Sequence, residues 1–316
     1  MRLLAIGLLA FMVTLTLVCN VAWAYKISIN QFADVPALND AVQGFKERLA
    51  ELGMEVTYVE RNAKGSLEDL DRIVDQITEE NPDLILAVGT ASAQRSVNLI
   101  KHIPIVFTCV TDPVSAKLVA SMDSPGGNAT GTTDMSPVAS QLALIKEIQP
   151  GAKNIGVIYN PGEPNSVFQV ELAKGEALKL GFKILEAMAT KASEVAVAVQ
   201  SLVDRVDAIY LPTDNVVNSN IDPIIALALE HHIPFYPAED SAIRKGGVAT
   251  LSINYYQLGR LTGQQAVKIL KEKLSPAEIP VESLKNLSLV VNTRFSSDVF
   301  LSVTPSIVDR AQVVYK

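Results

Sequence analysis

The strongest constraint on this chain is that one order of elements occurs twice. Residues 26–59 align with 154–187 at an offset of 128. Ile27-Ser28-Ile29 meets Ile155-Gly156-Val157, Pro36 meets Pro164, and Gly53 meets Gly181. Further on the offset is 124, and Asp83-Leu84-Ile85-Leu86 meets Asp207-Ala208-Ile209-Tyr210. It is then 130, and His102-Ile103-Pro104-Ile105-Val106 meets His232-Ile233-Pro234-Phe235-Tyr236. Single matches carry little weight. Their order and near-constant offset identify a duplicated supersecondary design.

Each copy reads strand–helix–strand–helix–strand–helix–strand. Leu38, Ala41, Val42, Phe45, Leu49 and Leu52 form a 3.6-period stripe, and Gly53 follows where a helix end favours a left-handed residue. Ser66-x-x-Asp69 resembles a capping box ahead of Leu70, Ile73, Val74 and Ile77. The strands are short unbroken apolar runs, as parallel strands covered on both faces should be. Alternating βα units of this kind predict an α/β protein of two doubly wound parallel-sheet lobes. After the second copy, 248–253 and 287–291 read as strands, and 257–273, 295–301 and 307–314 as helices. These segments are expected to complete both sheets, with 130–135 as the first crossing between lobes. The expected division is 25–134 plus 254–286 for one lobe, and 135–253 plus 287–316 for the other.

Composition bears on where such a protein works. Mean hydropathy is +0.24 although 19% of residues are charged. Part of that lies in the first 24 residues, where Arg2 precedes an apolar run and Ala22-Trp23-Ala24 forms an A-x-A site. This pattern predicts a secretory signal peptide cleaved after Ala24, and hence an exported, periplasmic protein. Lipid anchoring through Cys19 is disfavoured, because Thr16 and Val18 occupy positions that a lipoprotein signal fills with a large aliphatic and a small residue. Past the leader Cys109 is the only cysteine, so no internal disulfide is available, and its place after Ile105-Val106-Phe107 suits a buried inert thiol. The net charge of −7 argues against a nucleic-acid partner.

Ligands of open parallel sheets sit beyond the carboxyl ends of the strands. The duplication names those ends: Gln31-Phe32, Gly89-Thr90-Ala91 and 108–112 in one lobe, and 160–166, Thr213-Asp214-Asn215 and 237–240 in the other. Thr90-Ala91 and Asp214-Asn215 occupy equivalent positions on facing walls. Gly89-Thr90-Ala91-Ser92 opens a helix, and its free N–H groups and hydroxyls suit a carboxylate. Asn165 and Ser166 offer similar donors, and Asp214 suits an ammonium group. The same residues have a structural alternative: Thr90 and the Asp214-Asn215 pair are also good helix caps, and Asp112-Pro113 a turn. Anion donors facing a carboxylate point to a zwitterion such as an amino acid.

An ordered set of longer motifs resembles one family. It runs through Pro36-Ala37-Leu38, Gly89-Thr90, Thr111-Asp112-Pro113-Val114, Pro125-Gly126-Gly127-Asn128, Tyr159-Asn160-Pro161-Gly162-Glu163, Pro212-Thr213-Asp214-Asn215 and Tyr255-Tyr256-x-Leu258-Gly259. Over nearly the whole chain past the leader, this is similar to the TrpX-like substrate-binding proteins of ABC transporters, which have the type I periplasmic-binding fold. The resemblance implies two lobes joined by hinge strands that close on a small solute, with aromatic amino acids favoured. It also implies a membrane permease and a cytoplasmic ATPase as partners. Carried over by position, Thr90, Ala91, Asp112, Asn165, Ser166, Asp214 and Asn215 would contact the ligand, as would Gln31. Phe32 and Tyr236 stand at strand ends where an aromatic ligand could stack, with core packing as the alternative. Asp34-Val35-Pro36 departs from the family, where a His often precedes the Pro.

Enzyme motifs are missing from the sequence: no G-x-S-x-G, H-E-x-x-H, C-x-x-C or G-x-G-x-x-G occurs. His102 and His232 fall at matching helix ends, which suits a structural role. No catalytic residue, metal or cofactor is expected, and a monomer is. The expected function is solute capture for an ABC importer. A ligand-sensing subunit for a membrane signalling receptor, and an exported enzyme on the same scaffold, stand as alternatives.

Overall fold

The structure is a computed structural model that describes residues 24–316, so the leader lies outside the described residues save for Ala24. The first lobe opens as β1 (Tyr25–Gln31), α1 (Pro36–Glu51), β2 (Val56–Asn62), α2 (Leu67–Glu80), β3 (Leu84–Val88), α3 (Thr90–Leu99), β4 (Ile105–Val110) and β5 (Ala129–Thr133). The second follows as α4 (Val138–Ile148), β6 (Asn154–Tyr159), α5 (Pro164–Leu180), β7 (Lys183–Met188), α6 (Ala192–Gln200) and β8 (Ala208–Leu211). It continues through α7 (Asn215–Ser219), α8 (Asp222–Glu230), β9 (Phe235–Pro237), α9 (Asp240–Lys245) and β10 (Ala249–Ser252). Helix α10 (Tyr255–Leu270) and β11 (Glu282–Ser283) return to the first lobe. Then β12 (Ser288–Asn292), α11 (Thr293–Asp298), α12 (Pro305–Arg310) and β13 (Val313–Tyr315) finish the second.

One sheet runs β2-β1-β3-β4-β5-β11 and another β7-β6-β8-β9, with parallel pairing throughout both. A third, β10-β12-β13, joins the second lobe through Val248, whose N–H donates to the Phe235 carbonyl at 2.8 Å. The repeat offsets reappear as sheet register. Ile27 pairs with Leu84 and Ile155 with Ala208; Ile85 pairs with Ile105 and Ile209 with Phe235. Gly53 and Gly181 both adopt positive φ, 68° and 72°, just past α1 and α5.

The buried apolar residues form two clusters. One takes Ile27 to Ala129 with Ile253 to Val281; the other takes Val138 to Ala249 with Leu289 to Ile307. The chain passes between them three times, each time from the end of a strand: after β5, β10 and β11. Helix α10 lies against α1 so closely that a Cβ at Gly259 would overlap the Ala41 carbonyl. Glycine there lets the two backbones touch.

Two local differences from the sequence reading have clear causes. Residues 313–315 form a strand rather than the end of a helix, because Val313 and Val314 pair in parallel with Val290 and Val291 on the edge of β12. The third helix of the second lobe is split. Pro223 lacks an N–H and starts a new helix, so α7 stands as a separate short turn ahead of α8. The extra residues of that split raise the repeat offset from 124 to 130, and they place α7 at the mouth of β8.

Candidate functional site

The strand ends of both lobes face each other across a cleft with two adjoining cavities. The inner one, called the chamber here, has a free volume of ≈ 20 Å³, about one water-sized group. Val35, Leu38, Cys109, Thr111 and Tyr255 line it from the first lobe. Asn165, Thr213, Asp214, Asn215, Asn218 and Glu239 line it from the second, and Asp134 from the crossing after β5. The outer cavity has ≈ 380 Å³. Its polar wall includes Thr90, Asp112 and Ser115, and its apolar wall Ala116, Pro161, Pro164, Val167 and Phe168. Asn165 belongs to both. Among the described residues, no Lys, Arg or His lines either cavity.

The chamber's carboxyls are held by burial and by neighbours. Asp134 accepts from the Tyr255 hydroxyl at 3.2 Å and the Thr111 hydroxyl at 3.3 Å; burial outweighs these bonds and pushes its carboxyl up to about 6. Burial, then the charges of Asp240 and Asp134, pushes Glu239 up to about 8. Burial first, and the neighbouring Glu163 second, push the Asp214 carboxyl up. Cys109 is 5% exposed with φ 57°, and burial pushes its thiol up, so it is an unreactive thiol in the chamber wall. The lobes also touch directly: Gln169 Nε2 donates to Thr111 Oγ1 at 3.4 Å.

At α3 the structure separates the two roles open to Thr90. The cap position is Gly89, with φ 91°, and Thr90 Oγ1 is buried without a partner among the described residues. At α7 the cap is Asp214, whose Oδ1 accepts from Val217 N at 2.8 Å while Oδ2 accepts from Asn160 N at 2.6 Å. Asp214 therefore both caps a helix and lines the chamber. Asp112 makes its turn, accepting from the N–H groups of Val114 and Ser115 at 3.1 and 3.0 Å, and also lines the outer cavity.

The residues expected from sequence thus divide. Thr90, Asp112, Asn165, Asp214 and Asn215 are brought together around the cavities. Ser166 is fully buried behind Asp214, with its hydroxyl toward the Thr213 carbonyl at 3.5 Å. Ala91 sits in the first turn of α3 but lines neither cavity. Gln31 turns its amide onto its own lobe, donating to Ala33 O at 2.8 Å and Asn39 Oδ1 at 2.7 Å. Phe32 packs in the first core. Tyr236 packs in the second and donates to Gln149 Oε1 at 2.7 Å.

Glu163, Glu239, Asp134, Asn218 and Tyr255 were not singled out as contacts. Glu163 is 2% exposed and accepts from Asn215 N, Asn215 Nδ2 and Val216 N at 2.9, 2.6 and 3.0 Å, clasping the start of α7. Glu239 lies within the strand end 237–240 that the duplication names. Nothing in the pattern flagged Asn218, because the split of α7 from α8 is what turns it inward.

A family model for the ABC transporter substrate binding proteins matches residues 26–314. The chain belongs to that family. This substrate-binding protein is 36% identical over 271 residues to a tyrosine-binding protein of Clostridioides difficile (strain R20291), covering 84% of this chain and 78% of that one. Among solved structures it is similar to an ABC domain in complex with L-Trp from Streptococcus pneumonia, with a TM-score of 0.89 at 30% identity, over 92% of this chain and 99% of that. It is also similar to a ligand-free, open structure of a substrate binding protein with adhesive properties from Clostridium difficile. There the TM-score is 0.69 at 36% identity, over 93% and 100% of the two chains. The fold is the two-lobed type I periplasmic-binding fold. In the described part of the substrate-binding protein, no helix is long and apolar enough to cross a membrane.

Proposed function

We propose that this substrate-binding protein captures a zwitterionic α-amino acid with an aromatic side chain between its lobes, and delivers it to the permease and ATPase of an importer. The observation that carries the reading is the division of the cleft. An acceptor-rich, acidic chamber the size of one polar group adjoins a larger cavity that has one polar and one apolar wall. An ammonium group fits the first. The second offers a carboxylate the start of α3, where Thr90 Oγ1 and the unpaired first-turn N–H groups lie. It offers an aromatic ring Phe168, Val167, Pro161 and Pro164.

The relatives' tyrosine and L-Trp ligands support the aromatic preference. Closure by hinge motion is supported by the overlaps: the L-Trp complex superposes better than the open form, although the open form is more identical in sequence. A rigid-body difference in lobe arrangement produces that pattern. On this reading residues 25–134 with 254–286 move against 135–253 with 287–316, and ligand contacts on both walls shift the equilibrium to the closed form. Export behind a leader cleaved after Ala24, and a monomeric state, belong to the same proposal.

A thermal-shift screen of all amino acids, aromatic acids and nucleosides, with mass spectrometry of co-purified ligand, tests it. Stabilisation should follow RT ln(1 + [L]/Kd) for aromatic amino acids. A sugar or nucleoside as the sole stabilising ligand rejects the proposal.

A further inference from the structure

Gln169, on α5, is fully buried behind the chamber and lines neither cavity. Its Oε1 accepts the Thr213 N–H at 3.3 Å, and a backbone N–H can only donate, so the orientation of the amide is fixed. Its Nε2 then faces three acceptors. Two belong to its own lobe: Thr213 Oγ1, and the Asn165 carbonyl at 3.3 Å. The third, Thr111 Oγ1 at 3.4 Å, belongs to the other lobe. Two N–H bonds serve three acceptors, so the own-lobe partners satisfy the amide when the lobes part, and the Thr111 bond is the one that closure adds. Thr111 in turn donates its hydroxyl to Asp134 at 3.3 Å, at the first crossing between lobes. Asp134 also accepts from Tyr255 at 3.2 Å, just past the second crossing. One hydrogen-bonded line therefore runs from α5 through the cleft to the hinge. Among the described residues no ion pair joins the lobes. Away from the crossings, Gln169 to Thr111 is the one hydrogen bond between the lobes among the described residues.

We propose that Gln169 and Thr111 form a closure latch, which holds a share of the ligand-free protein closed and scales the affinity for every ligand that closes the lobes by one common factor. The inference rests on the hinge-closure part of the reading above and not on the identity of the ligand. A ligand that bridges both walls draws the open form to the closed one, and a bond gained in that step adds to the apparent affinity whatever the ligand is. Gln169 is thus a positioning residue: it acts on the lobes, not on the ligand. On opening, water replaces the bond to Thr111, so the latch biases the equilibrium without locking it. A role confined to the second lobe, holding Thr213 and Asn165 in place, would not couple Gln169 to Thr111.

The test is single-molecule energy transfer between dyes at Lys64→Cys and Lys191→Cys, exposed positions just beyond the edge strands β2 and β7 of the two lobes. The chain from Tyr25 onward is used, in which Cys109 is the only native thiol and is buried. The ligand-free protein should show an open and a closed population. Gln169→Met and Thr111→Val each remove the bond and should lower the closed-to-open ratio about 3- to 10-fold. The double variant should lower it no further than the stronger single one, because both remove the same bond. Thr111→Ser keeps the hydroxyl and should keep the ratio. With L-tyrosine and L-tryptophan, Gln169→Met should raise both dissociation rates by a common factor and leave the association rates unchanged. Should the Gln169 variant fail to fold, Thr111→Val and its rescue by Thr111→Ser still decide the question. A ligand-free wild type with no closed population, folded variants with an unchanged ratio, or single effects that simply add overturn the latch and leave hinge closure intact. A wild type held at one distance, with or without a bound ligand, overturns hinge closure and the latch with it.

Discussion

Replacing Glu239 by glutamine isolates the cost of holding a buried acid in the chamber wall. The residue is 3% exposed, and burial pushes its carboxyl up to about 8 from an ordinary 4.5. Between these two values the folded protein therefore keeps a proton that the unfolded chain has lost. Because the folded value is the higher one, this contribution is fully present below about pH 4.5 and is lost as pH rises through 8. One pKa unit corresponds to about 1.4 kcal/mol, so the full window is worth about 5 kcal/mol. That figure is an upper limit, since any local opening that rehydrates the carboxylate without unfolding a core lowers it. Glutamine keeps the shape and does not titrate. Urea denaturation of both ligand-free proteins from pH 5 to pH 9 reads the effect. Wild type should lose up to about 1.4 kcal/mol more per pH unit than the variant across this range, and Glu239→Gln should be the more stable protein at pH 8. Asp134 titrates in both proteins, and its charge and that of Asp240 act on Glu239, so the difference between the curves is the titration of Glu239 together with its coupling to these neighbours. Parallel curves would refute the assignment.

Other consequences can be measured independently. An ammonium entering the chamber holds its carboxyls ionised, so binding at pH 7 should release on the order of one proton, read from calorimetry in buffers of different ionisation enthalpy; no release contradicts it. Glu163→Ala strips the acceptor from two backbone N–H groups at the start of α7 and should cost about 2–5 kcal/mol in chemical denaturation, with a cost under about 0.5 kcal/mol counting against the clasp. Phe168→Ala removes the largest apolar side chain of the outer cavity and should weaken an aromatic amino acid by about 1–3 kcal/mol, with little change for alanine. Gly259→Ala forces α10 off α1 and should destabilise the first lobe by about 1–3 kcal/mol or more, visible as a lower melting temperature.

Much of the fold was legible because duplication checks itself. Offsets read from Ile27, Leu84 and Ile105 returned as strand register, and Gly53 and Gly181 returned as left-handed helix ends. Position at a strand's carboxyl end also led to Thr90, Asn165 and Asn215, which line the two cavities. Which way a side chain turns was not legible, since that is settled by local competition for hydrogen bonds. Gln31 is taken by Asn39 and Ala33, and Tyr236 by Gln149. Glu163 was passed over because its work is done on a helix distant in sequence. The terminal strand was missed because its partner, β12, supplies the pairing that its own residues only permit.

The central claim is that the cleft binds an aromatic amino acid through its ammonium group. The most direct measurement is calorimetric titration of refolded, ligand-stripped protein with L-tyrosine and L-tryptophan, each against its deaminated acid. The expected result is one saturable site per chain for at least one of the amino acids, and binding by its deaminated acid weaker on the order of 100-fold. Equal binding of acid and amino acid, or no binding of either amino acid by a folded protein, would contradict it.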